Sequence, residues 1–411
     1  MKNSFFLTLL LSLAISGRSA VPVATNRVAS LSLDQALGLA ERHSPDLMEA
    51  AALVRAAEGR VQQAGALPNP EAIVRMENAP FNGRTARDAD YLAGVGFTVP
   101  LRGKRAKAVK IEELDRERLN REAEARLLEA QGKVRSAFAT ALFQEQARRV
   151  RAELLTSAEQ AVTLARARVS AGDAVPSEVA RVEAELATAR MESQRSEGMR
   201  TQSLVALTAT IGISGGGVES VSGSLRTAFD LPALEELSSK LAVHPALFAA
   251  EADVSARDAE ILSARVARIP DLKAELLYRR IESTRQDAFD VGVSLPLPFF
   301  DNGRGRVAEA EGRRDAAQAR ARSTRAELEV KLRDAHTRLA AALAESRSLE
   351  VDVLPRLEAV AKSTAARYAA GDVGLGEVIP VRRDHAGARL RHLDALREGM
   401  IAWGELRLFI R

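Results

Sequence analysis

Apolar residues along the chain follow two different periods, and the switch between them happens twice. From Ser32 to Gln63 they recur at helical spacing, interrupted near Pro45. There Ser44 reads as an N-cap and Pro45 as the first helical residue, where a missing N–H does no harm. Pro68 and Pro70 end this helix, as Pro270 does later. The period then drops to two. Tyr91, Ala93, Val95, Phe97 and Val99 alternate with Leu92, Gly94, Gly96 and Thr98; further on, Phe289, Val291, Val293, Leu295 and Leu297 alternate with Asp290, Gly292, Ser294 and Pro296. Such alternation predicts a strand whose two sides meet different media. Partner strands are predicted, from weaker patterns, at about 71–78 and 271–279. Helical spacing then returns. Lys104 to Ala171 contains no proline, enough for about 100 Å of helix at 1.5 Å per residue. From Leu332, the positions Ala335, Leu339, Ala342, Ser346, Leu349 and Val353 step alternately by three and four, a heptad seam that Leu357, Val360, Thr364 and Tyr368 continue.

The two passes match each other in detail. "ARVSAGDAVPSEV" (Ala167–Val179) returns as "ARYAAGDVGLGEV" (Ala366–Val378), with seven of thirteen positions identical at an offset of 199 residues. "SPDL" from Ser44 matches "HPAL" from His244, and "VGFTVPL" from Val95 matches "VGVSLPL" from Val291. Gly103 then matches Gly303 after a few extra residues in the second copy. This period is far too long for a solenoid unit and predicts two duplicated halves, 31–211 and 232–411. The segment 212–231 between them is a Gly/Ser-rich linker. The repeated phrase falls where each long helix stops. Gly172 and Gly371 suit left-handed C-caps, Asp173 and Asp372 suit turns, and Pro176, Gly374 and Gly376 keep the links tight. On its chemistry the phrase is a pair of helix–helix turns. Two similar tips at the same distance from the strands also suit a common docking end.

Composition sharpens the picture. The 411 residues are 46% hydrophobic but only 4% aromatic, with Ala, Glu, Arg and Leu dominant in the helical parts, as in long packed helices. The 59 basic and 55 acidic residues are interleaved, so no basic block points to nucleic acid. Lys2 precedes the apolar run Phe5–Ile15, the length of a signal-peptide core, predicting a leader over about 1–20 with Ser16, Ala20 and Ala24 as candidate ends. There is no cysteine, which excludes disulfides, thiolate metal sites and a lipid carried on cysteine. No later segment offers the roughly 18 apolar residues of a membrane helix. Strands of about ten residues, however, have the length of a β-span. Four such strands cannot close a barrel and an open edge in lipid is costly, so at least two chains must contribute; dimer and trimer both satisfy the count. A small soluble sheet beside a coiled coil is the alternative. The histidines, His43, His244, His336, His385 and His392, are scattered; His385 and His392 share a helix face, which is expected to be solvated. No catalytic constellation, cofactor motif or metal site is expected.

These residues resemble the TolC family of outer membrane efflux proteins over nearly the whole mature chain. "QAGALPNPEAIVRMEN" (Gln63–Asn78) with "TVPLRGKRA" (Thr98–Ala106) is most similar to the CzcC-type, heavy-metal branch. The family's tip motif is matched by Tyr368, Gly371, Glu377 and Val378; in the first half Gly172, Glu178 and Val179 fit, and Val169 replaces the tyrosine. The resemblance implies a fold that is mainly α with membrane β: long antiparallel helical hairpins form a periplasmic tunnel, and four strands per chain join a twelve-stranded barrel in a homotrimer. It implies a passive outer membrane duct of a Gram-negative tripartite system, embedded in outer membrane lipid and supplied by a periplasmic adaptor and an inner-membrane pump. Gly172, Asp173, Gly371, Asp372, Val373, Gly374 and Leu375 would form the adaptor-docking tips, and Glu178 and Glu377 would stand nearest the constriction. The paired aspartates of some members are not reproduced. A secreted or periplasmic coiled-coil adhesin or scaffold is the competing reading.

Overall fold

The computed structural model describes residues 29–79, 89–214, 216–225 and 231–410. The predicted leader, most of the first inter-strand loop and part of the inter-half linker lie outside them. The chain begins with α1 (Leu33–His43) and α2 (Pro45–Gly65), then β1 (Glu71–Glu77) and β2 (Asp90–Val99), then α3 (Lys104–Ala171) and α4 (Pro176–Ile211). A similar order follows: α5 (Leu234–Lys240), α6 (Pro245–Ala267), β3 (Leu272–Ile281), β4 (Gln286–Ser294), then α7 (Arg304–Ser348), α8 (Leu354–Ala370) and α9 (Leu375–Leu406).

Local chemistry explains most boundaries. Ser32 accepts the Gln35 backbone N–H while the Gln35 side chain accepts the Ser32 N–H, a reciprocal capping box at α1. Ser44 occupies the N-cap position of α2, with Pro45 first in the helix, yet its side chain caps nothing. Its backbone N–H instead closes α1 on the Ala40 carbonyl. In the second half His244 takes the equivalent place, and there the imidazole Nδ1 does accept the Ala246 N–H at 3.2 Å.

α3 runs for 68 residues without a break. Its counterpart is interrupted. Pro355 has no N–H to give the Val351 carbonyl, and there the helix widens into a π-turn over Leu349–Val353, with Leu354 N–H bonded to Leu349 O. The extra residue shifts the seam. Leu332, Ala335, Leu339, Ala342, Ser346 and Leu349 are buried as predicted, but Val360 is 48% exposed, and Ala361 takes the inward side before Thr364 and Tyr368 return to the core. The heptad continuation through Val360 is thus corrected by one residue.

Among the described residues, three apolar cores lie between the helices. One joins α1 to α3 and α4 around Phe138, Leu142, Leu207 and Ile211. A second joins α5, α7 and α9 around Leu237, Leu332, Leu339 and Leu406. The third closes the tips, where Tyr368, Val373 and Leu375 meet Val162 and Val182. The numerous surface ion pairs at i,i+4, such as Arg118–Glu122 and Arg338–Asp334, each add only about 0.3–0.5 kcal/mol; they keep the rod soluble more than they hold it together.

Candidate functional site

Two regions carry the chemistry: the sheet, and the far ends of the hairpins. The four strands form one antiparallel sheet in the order β1-β2-β3-β4. Register sets what each face presents. Val95 stands opposite Ala72 and Leu276, and Leu276 opposite Val291. The same side collects Val74 and Met76 from β1; Tyr91, Ala93, Phe97 and Val99 from β2; and Phe289 and Val293 from β4. Nearly all of these large apolar side chains are exposed, across the whole width of the sheet. Water does not favour such a face; a hydrocarbon environment does.

The opposite face is polar and internally paired. Arg279 on β3 donates to Glu77 of β1 and Asp90 of β2 at 3.0 Å, and to Asp290 of β4 at 2.6 Å. Arg75 meets Glu275 at 2.8 Å. Sequence reasoning found the alternation but not these pairs, since only the register brings Glu77, Asp90, Asp290 and Arg279 together. It also extended the β4 pattern too far. Pairing stops at Ser294, opposite Lys273, because Pro296 and Pro298 cannot donate to a ladder. Leu295 and Leu297 therefore lie beyond the strand. Among the described residues no helix is long and apolar enough to cross a membrane, so the apolar sheet face is the surface suited to lipid.

At the other end of the helices, α3 stops at Gly172 (φ +85°) and α8 at Gly371 (φ +89°), both left-handed. Gly172 N–H bonds Val169 O and Asp173 N–H bonds Arg168 O; Gly371 and Asp372 repeat this on Tyr368 and Arg367. These are two Schellman caps of identical wiring. Both glycines, with Asp173, Asp372 and Gly374, are exposed. Val373 and Leu375 are not: they retain 6% and 3% exposure and pack in the tip core. Their side chains hold the tip together rather than face outward.

The two tips also grip one another. The Tyr368 hydroxyl donates to Glu178 at 3.3 Å, and the Arg168 guanidinium lies 5.0 Å above the Tyr368 ring. Burial, then the Glu178 charge, pushes the tyrosine hydroxyl pKa up. Glu178 is thereby drawn into the inter-hairpin contact, its side chain 17% exposed, whereas Glu377 is exposed. Further along, α9 is tied to the first hairpin by Arg383 on Glu185, Arg389 on Glu153, and Arg382 on the Ser157 carbonyl. His392, expected on a solvated face, is buried on α9, because that helix is enclosed by α3 and α7. Among the described residues no group of three or more His, Asp or Glu is arranged to hold a metal ion.

Comparison with known proteins agrees with this geometry. The chain is 29% identical over 386 residues to the cobalt-zinc-cadmium resistance protein CzcC of Cupriavidus metallidurans, covering 93% of this chain and 90% of that protein. It is 31% identical over 317 residues to the nickel-cobalt-cadmium resistance protein NccC of Alcaligenes xylosoxydans xylosoxydans, covering 76% and 70%. In fold it matches the open state of the MtrE outer membrane channel of Neisseria gonorrhoeae, with a TM-score of 0.75 at 16% identity over 92% of this chain and 88% of that one. These likenesses leave no support for the adhesin reading. The outer membrane efflux protein family is matched twice, over residues 36–213 and again over 237–410, and the chain belongs to that family, with its sheet in the outer membrane and its helical tunnel in the periplasm.

Proposed function

We propose that three copies of this chain form one exit duct, and that its tips receive a periplasmic adaptor supplied by an inner-membrane pump. The observation that carries this is the four-stranded sheet, apolar on one face and open at β1 and β4, joined to helices on the order of 100 Å long. Three such sheets make a twelve-stranded barrel, and each open edge finds a partner in the next copy. The duct has no chemistry of its own; it conducts passively while the pump supplies the energy. Its cargo is heavy-metal cations, a reading supported by the names of CzcC and NccC. The halves 31–211 and 232–411 act as duplicated units, each contributing one tip.

The docking ring consists of the exposed tip positions Gly172, Asp173, Gly371, Asp372 and Gly374, with Val373 and Leu375 supporting them from within. Glu377 stands nearest the periplasmic constriction, and Glu178 acts through its hold on Tyr368. Gly371→Val tests the ring. A Cβ at Gly371 meets open space, so the cost is only that of a left-handed backbone, about 1–2 kcal/mol. Trimers are expected at normal abundance, while crosslinking of the adaptor through a probe at Asp372 falls and resistance to zinc, cobalt and cadmium drops. Normal crosslinking with normal resistance would reduce the tip to a helix turn.

A further inference from the structure

We infer that the turn opening α7 is a site of spontaneous covalent modification: in the folded protein Asn302 deamidates through attack by the Gly303 backbone nitrogen, turning an amide into a carboxylate at the head of the helix.

Two Asn–Gly pairs occur in the chain, Asn82–Gly83 and Asn302–Gly303, and the second lies on described residues. The first half has Arg102–Gly103 at the matching place, a turn in the same position without an amide. The fold itself demands the glycine. Gly303 has φ +69°, and a Cβ there would come within 2.8 Å of Arg268 Cγ. The residue that satisfies this fit is also the one whose nitrogen is least shielded from the side chain before it.

The hydrogen bonds around the pair suit each part of the reaction. Asp301 Oδ1 accepts the Gly303 N–H at 2.8 Å, within reach to take its proton, while Asp301 Oδ2 is held by Arg306 at 3.2 Å. Arg268 Nε donates to the Asn302 main-chain carbonyl at 2.7 Å and draws electrons from the peptide whose N–H must ionise. Arg304 N–H donates to Asn302 Oδ1 at 3.1 Å, which polarises the amide carbon and stabilises the oxyanion formed on attack. Asn302 is exposed, so water can enter and ammonia can leave.

The Gly303 nitrogen bonds to Asn302 Cγ, the Cγ–Nδ2 bond breaks, and ammonia departs with the Gly303 proton, leaving a succinimide. Water then opens the ring. Addition at Cγ gives aspartate; addition at the main-chain carbonyl gives isoaspartate, with the chain running through the side-chain carbon. Either product adds a negative charge, and its surroundings favour it. Arg304 and Arg306 stand close by in sequence, and α7 carries no acid in its first turn to meet the positive end of its dipole. Isoaspartate also lengthens the main chain beside Gly303, where the fit against Arg268 leaves no slack.

The test uses the full-length oligomer purified in detergent and held at mildly alkaline pH, with aliquots digested for peptide mass mapping. The peptide spanning Asn302 is expected to gain the mass of amide-to-acid exchange and to accept methyl groups from an isoaspartyl methyltransferase. In Asn302→Gln, whose longer amide closes a ring much less readily, both signals should vanish from that peptide. The parent unfolded in urea sets the reference rate, and conversion in the folded oligomer should be at least as fast. Arg268→Gln should slow conversion severalfold in the folded protein and leave it unchanged in urea, where the turn is absent. An amide kept at position 302 in the folded oligomer overturns the proposal, whether or not the unfolded chain loses it. Folded conversion slower than the urea rate overturns the claim that the turn promotes the reaction, and equal folded rates for Arg268→Gln and the parent overturn the part given to Arg268. None of these readouts depends on cargo, adaptor or pump, so their failure leaves the duct reading untouched.

Discussion

His244 shows how one residue couples a helix end to a core and to pH. Its Nδ1 caps α6, its ring lies 5.3 Å from that of Phe409, and it is buried. Burial, with Lys331 nearby, pulls its pKa below the ordinary 6.5. Capping by Nδ1 requires the neutral ring, so the unfolded chain binds the proton more readily than the folded one. Stability from this site is therefore complete above the unfolded pKa and is lost as pH falls through it toward the folded value. His244→Asn retains a capping side chain but does not titrate. Thermal unfolding of the purified protein from about pH 8 to pH 5 should show a steeper acid loss in the parent than in the variant. Parallel curves would remove His244 from the account.

The amphipathic strand is the element that determines where the protein resides. Its two faces differ in what a charge costs. Val291 lies near the middle of β4 on the apolar face, and a lysine there should cost about 2–4 kcal/mol, while one on the wet face costs little. Val291→Lys is expected to deplete assembled channel in the outer membrane, and Ser294→Lys to leave it near the parent level. Quantifying heat-modifiable oligomer in membrane fractions checks this, and equal yields would reverse the face assignment. The long helices obey a different rule. Their alanine-rich seams and interleaved charges sustain long helices, and at the π-turn beside Pro355, where one backbone N–H is missing, the seam rotates by one position.

For the whole molecule, the open edges of β1 and β4 are the features that a single copy cannot satisfy. If the next copy closes them, cysteines on the two edge strands must meet between chains. Val74→Cys combined in turn with Phe289→Cys, Val291→Cys or Val293→Cys should, on oxidation, yield covalent dimers and trimers for at least one pairing. Only monomer in every combination would exclude edge-to-edge closure. Such closure would also align three copies of the Arg279 network around one lumen, with the apolar faces turned outward.

Alternation, helix length and the repeated phrase were legible in the sequence because each is a local property. Period two in Tyr91–Val99 needs nothing beyond the strand itself, and the proline-free run Lys104–Ala171 coincides with α3 from end to end. Gly172 and Gly371 could be placed as caps because a left-handed turn is a demand on one residue. The Ser32–Gln35 capping box was equally visible, as a serine three residues before a glutamine, and was missed. Other features belong to the tertiary structure alone. No spacing tells that Arg279 meets carboxylates of three other strands, that Val373 and Leu375 turn into the tip core, or that Tyr368 of one hairpin binds Glu178 of the other. These depend on register and helix docking, which are fixed by contacts between residues up to 236 positions apart, and a pattern read along the chain carries no information about which distant face will meet it.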